Sequence, residues 1–187
     1  MALRLGSCRI LLPAVAPAGV ASRWTLTNDG LEVSVTTAGF EEHDVAMELL
    51  LCLGQGLWER LSDGELRAYW MLLDAEISMG TEGEIDEQAF EEKRRLLESR
   101  SHANDVERLA GYGRASFAGT VGEYVHCLWH EVTVRTGPDY LPAPALRLRL
   151  DLLARWFPPN RGYRLFPVGR HHAGPSPFPR ACSPLNR

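Results

Sequence analysis

Apolar and chemically capable positions meet most densely at residues 120–135. Val121, Tyr124, Val125, Leu128 and Val132 recur at helical spacing and share one side of a helical wheel. Glu123, His126, His130 and Thr133 fall on the other side. Thr120 followed by Glu123 has the form of a capping box, which predicts that a helix starts there. Gly137 and Pro138 predict where it stops. Upstream, Trp24 and Leu26 alternate before Asn28-Asp29-Gly30, and Leu31, Val33 and Val35 alternate after it. This is the pattern of a β-hairpin whose turn takes its positive φ from Asn, Asp or Gly. Two strands are marginal in water, so the ribbon needs helices beneath it or a third strand. Residues 164–168 or a second subunit are the candidates for that strand.

Residues 40–61 read as a long helix with a narrow polar strip of Asp44, Glu48, Gln55 and Glu59. A helix apolar over most of its circumference is expected to be central and the most buried. His43 falls on the Met47–Leu50 side and is expected to face inward. Gly54 and Gly56 predict close approach by a neighbouring backbone. Ser62 with Glu65 is a second capping box, opening a helix whose buried face is Leu66, Tyr69, Trp70, Leu73 and Ile77. Glu76 interrupts that face, and a carboxylate there must pair, coordinate or reach solvent.

Residues 79–92 imitate a calcium loop, with Gly83, Ile85 and Phe90 at the expected places. The ligand positions hold Ser78, Gly80 and Ala89, so the loop cannot close on calcium. Instead Asp86 is expected to cap a helix running to about residue 100, with Ile85 and Phe90 placed as a hydrophobic staple. A polar break follows, then a short helix ended by Gly111 and Gly113. The last helix spans 145–157, with Leu146, Leu150, Leu153 and Phe157 on one stripe, Pro144 in its first turn and Pro158-Pro159 beyond its end. The expected fold is mainly α: an irregular bundle of five or six helices with one small N-terminal β-hairpin. The domain covers residues 23–167. Residues 1–22 read as a flexible arm or targeting segment, dispensable for folding, and 168–187 as a disordered Pro/Arg-rich tail.

Composition adds limits. The 187 residues suffice for one well-buried domain, and 45% hydrophobic with 24% charged residues is ordinary for a soluble protein. The net charge of −4 is unevenly spread. Three arginines in 1–28 and six in 152–187, neither stretch with an acid, leave −13 on the body between them. An acidic body argues against specific nucleic-acid binding. No apolar run is long enough to span a bilayer. Cys8, Cys52, Cys127 and Cys182 have no metal-type spacing, and two lie in apolar helical runs, which fits reduced thiols in the cytoplasm. Arg4 and Arg9 ahead of a small, apolar stretch leave secretion as the alternative, with residues 1–22 as a signal peptide.

The catalytic vocabulary is thin, with no GxSxG, no phosphate-binding GxxxxGK and no CxxC. The expected role is therefore a non-catalytic module that binds a protein partner or itself as a homo-oligomer, without cofactor. The alternative is a metal-dependent helical enzyme, a hydrolase or transferase. His126 and His130 stand one turn apart and can reach one ion, with His43 as third ligand and Glu76 in reserve. Zinc or iron would suit such a set. One histidine on an early helix and an HxxxH pair on a late one loosely resembles the DinB-like metal-dependent bundles. The resemblance covers those three residues alone; the hairpin, the acidic loop and the extra C-terminal helix depart from it.

Overall fold

The computed structural model describes residues 2–15, 21–98, 106–129, 137–163 and 165. The alternating residues around Asn28-Asp29-Gly30 form antiparallel strands β2 (Ser22–Leu26) and β3 (Gly30–Val35). The sheet has three strands rather than the expected hairpin. After a single helical turn, α1 (Ala2–Leu5), strand β1 (Ser7–Leu11) pairs parallel with β3, giving the order β1-β3-β2. Its register sets Cys8 beside Leu31 and Ile10 beside Val33. The expected strand at 164–168 falls largely outside the described residues; Leu165 is buried. Gly30 does not take a positive φ. It is glycine because any Cβ there would overlap the Ser7 backbone of β1.

Five helices follow: α2 (Glu42–Trp58), α3 (Asp63–Ser78), α4 (Glu87–Glu98), α5 (Val106–Trp129) and α6 (Ala143–Trp156). Mainly α is therefore the right class, although the packing is not a regular bundle. Leu31, Val33 and Val35 bury one face of β3, and the Leu31 side chain packs where Gly56 of α2 has no Cβ. Trp24 Nε1 donates to Gln55 Oε1, and Ser22 Oγ donates to Glu48 Oε2 at 2.8 Å, so polar positions of α2 also tie down β2. Local signals formed as read at α3, where Ser62 and Glu65 make the full capping box. They also formed at α4, where the Ala89 N–H donates to Asp86 Oδ1 at 3.0 Å.

The largest departure is α5. It runs unbroken through Gly111, Gly113 and Gly119, so no helix begins at Thr120. Thr120 is buried and its hydroxyl donates back to the Ser116 carbonyl at 2.8 Å, while Glu123 meets Cys127 and His126. The glycines are there for close packing. A Cβ on Gly54 would stand 2.6 Å from the Ala118 Cα, and one on Gly113 would overlap the Trp70 ring. Residues 112–122 of α5 are almost all buried, so this helix, not α2, is the central one. The N-terminal half of α2 is only partly covered, and His43 is exposed instead of facing inward. No helix among the described residues is long and apolar enough to cross a membrane.

Candidate functional site

The centre of the molecule is charged. Arg149 lies on the buried stripe of α6 and is 0% exposed. A guanidinium has five N–H donors, and all five are used. Nε donates to Glu76 Oε1 at 3.0 Å and Nη2 to Glu76 Oε2 at 2.5 Å. Nη1 donates to Glu84 Oε2 and Nη2 to Glu84 Oε1, each at 2.8 Å, and Nη1 also donates to Ser116 Oγ at 2.8 Å. Glu84 takes further bonds from Tyr112 Oη at 2.6 Å and Lys93 Nζ at 3.2 Å. Two buried carboxylates thus face two buried cations, and the cluster is neutral.

The hydroxyls extend this network with a defined direction. Thr120 Oγ1 spends its proton on the Ser116 carbonyl, so Tyr69 Oη donates to Thr120 at 2.8 Å. Tyr69 then accepts from Ser116 Oγ at 3.1 Å, and Ser116 accepts from Arg149. Burial raises the Glu84 carboxyl, but Arg149 and Lys93 outweigh it and hold the group down at about 2. Burial pushes the Tyr69 phenol up to about 12. Near neutral pH Glu84 is therefore ionised and Tyr69 protonated, and the hydrogen-bonded network ties α3, α5, α6 and the 84–87 turn together.

Beside it lies a cavity of about 250 Å³. Met47 and Leu51 of α2 form one wall, and Gly119 and Glu123 of α5 form a second. The turn at residues 84–87 and Tyr140, Leu141 and Leu146 complete it. The turn is held in place because the Glu84 N–H donates to the Asp139 carbonyl and the Leu141 N–H to the Glu84 carbonyl. Glu84, Asp86, Glu87 and Glu123 line the cavity, and none of its described lining residues is a cation. Asp86 has one oxygen occupied in capping α4; Oδ2 is buried against Gly119 without a partner among the described residues. Burial pushes its carboxyl up to about 6, with the Glu84 charge adding to the rise. Glu123 accepts from Cys127 Sγ at 3.2 Å. Burial first, and that carboxylate second, hold the Cys127 thiol well above its ordinary range, so it is no ready nucleophile.

Of the expected metal ligands, the structure brings His43 and His126 together, with ring centroids 6.0 Å apart. His130 lies outside the described residues. Glu76 is held by Arg149 in the network. Glu123, read from the sequence as part of a capping box, places Oε2 3.9 Å from His126 Nδ1. Among the described residues, no three His, Cys, Asp or Glu side chains group so as to hold a metal ion.

Sequence reasoning missed Glu84, Lys93 and Arg149. Two signals were present. Lys93 is the only lysine of a chain that otherwise uses arginine, and Arg149 falls on the Leu146–Leu153 stripe of α6. Comparison with protein-family models, curated proteins and solved structures finds no match to this chain.

Proposed function

We propose that the chain is a non-catalytic module that associates with a second copy of itself through the outer edge of β1. The observation that carries this reading is the exposure of β1. All five of its residues are exposed although it belongs to a sheet, with Ile10 46% and Leu11 37% accessible and Leu12 beyond it at 55%. An edge strand of this kind offers unpaired N–H and C=O groups as a template for another strand. Identical strands pair antiparallel about a two-fold axis normal to the sheet, which keeps each side chain on its own face. Centring the axis on Ile10 sets Arg9 opposite Leu11 and Cys8 opposite Leu12. Centring it on Arg9 would oppose like charges, which is unfavourable. The test needs no other partner: light scattering on the full chain as it elutes from a sizing column should give a dimer mass, and Ile10→Arg should give a monomer with an unchanged helical spectrum. A wild-type chain that stays monomeric at high concentration removes the proposal.

A second reading, a zinc- or iron-dependent enzyme, is supported by the His43–His126 approach. Two imidazoles bound to one zinc ion set their ring centroids about 5–6 Å apart, and these stand at 6.0 Å. Metal analysis of protein purified without added metal tests it. Equimolar zinc or iron, lost in His43→Ala/His126→Ala, is the expected result under this reading, and a metal content unchanged in that variant contradicts it.

A further inference from the structure

We propose that the cavity between α2, α5 and the 84–87 turn binds a small organic cation, a primary amine on a short alkyl or aryl body. This inference is independent of self-association at β1, which lies on another element. The size comes first. About 250 Å³ is below the range of roughly 300–1,000 Å³ typical of drug-sized sites. The volume suits a small occupant. The chemistry comes second. The cavity has an apolar side, with Met47, Leu51 and Leu146, and an acidic side, with Asp86, Glu87 and Glu123. Glu84 is already neutralised by Arg149 and Lys93, so it contributes wall rather than charge. The other three carboxylates face the cavity without a lysine or arginine among the described lining residues.

The third observation is Asp86 Oδ2, a buried acceptor with no partner among the described residues. Buried polar groups are nearly always satisfied, and one that is not calls for an explanation. Oδ2 itself is packed against Gly119, so an ammonium meets the Asp86 charge at the wall and can donate to Glu87 and Glu123 while its body covers the apolar side. Tyr140 at the rim adds an aromatic ring, the group that best complements a cation without desolvating a second charge. A metal ion fits less well, because Met47, Leu51 and Leu146 offer it no ligand and, among the described residues, no three ligands converge.

The experiment is calorimetric titration of the full chain at pH 7.5 with hexylamine and phenethylamine, with hexanol and hexanoate as neutral and anionic counterparts. The amines should bind, and both counterparts should bind at least about tenfold more weakly, the loss expected when one charge-assisted hydrogen bond is removed. Asp86→Asn keeps a capping oxygen for α4, since asparagine caps as well as aspartate. It and Glu123→Gln should each weaken amine binding by about tenfold, while Glu98→Gln on the exposed face of α4 should not. Glu123→Gln leaves the cap untouched, so it decides the question should Asp86→Asn fail to fold. Hexanol binding as tightly as hexylamine would show an apolar cavity only and overturn the proposal. So would amine binding indifferent to Glu123→Gln, or no binding of either amine.

Discussion

Arg149 of α6 is a single side chain that ties together α3, α5 and the turn at Glu84, and its loss should be severe. Arg149→Ala leaves Glu76 and Glu84 buried with Lys93 as the remaining cation. Breaking a buried charge pair by removing one partner costs about 3–5 kcal/mol. Urea denaturation should show a loss of that order; a loss below about 1 kcal/mol would mean that water reaches the network in solution. Asp86 gives a prediction with a pH signature. Its folded carboxyl is held up to about 6 against an ordinary 3.8. Between those values the folded protein keeps a proton that the unfolded chain releases, so this group's contribution falls as pH rises through the window. The window is worth about 3 kcal/mol at most. Glu84 works in the opposite sense and lower down: its contribution is present above about 4.5 and is lost as pH falls toward about 2. The difference between Asp86→Asn and wild type isolates the first effect. The variant should gain on wild type by up to about 3 kcal/mol between pH 4 and pH 7, and a flat difference would contradict the buried, raised carboxyl. At this scale the sequence said that Glu76 needed a partner, because it interrupts an apolar face. It did not say which, because Arg149 is 73 positions away and the pairing is made only by packing α6 on α3.

Elements divide by the range of their signals. The starts of α3 and α4 were legible because a cap is made by residues three positions apart, Ser62 with Glu65 and Asp86 with Ala89. The unbroken run of α5 past Gly113 was not, because its glycines look like punctuation along the chain and serve neighbours across space. Gly113 faces Trp58 and Trp70, Gly119 faces Asp86, and Gly54 of α2 faces Ala118. The Thr120–Glu123 spacing matched a cap by coincidence, and the threonine hydroxyl was needed by Tyr69. Two alanine substitutions separate these roles. At Gly113 a Cβ overlaps Trp70 and comes within 2.8 Å of Trp58, so Gly113→Ala should cost about 1–3 kcal/mol through overpacking, despite the better helix propensity of alanine. At Gly64, in the first turn of α3, nothing lies within 4 Å, so Gly64→Ala should stabilise by about 0.5–1 kcal/mol. Thermal melts of the two variants should move in opposite directions, and a Gly113→Ala protein as stable as wild type would show that α5 is not packed this closely.

For the whole molecule, the N-terminal residues decide how fold and assembly are related. Read as a flexible arm, residues 1–22 should be removable without cost. The structure instead docks their first part on the body. Leu5 is buried, Arg4 meets Glu65 at 2.7 Å and lies 4.8 Å above the Phe157 ring, and β1 completes the sheet. Burying one leucine is worth about 1.5–3 kcal/mol, and removal of β1 would also bare the Leu31–Val35 edge of β3. Deleting residues 2–12 should therefore lower stability by about 2–4 kcal/mol and abolish self-association together. Ile10→Arg should do only the second, because that side chain is exposed and contributes little to the folded monomer. The two variants thus separate a strand that holds the fold from an edge that joins copies. A truncated chain that melts like wild type and remains dimeric would return residues 1–22 to the status of an arm and move the interface elsewhere. A truncated chain that is less stable, beside an Ile10→Arg chain that is monomeric and fully stable, is the pair of outcomes expected here.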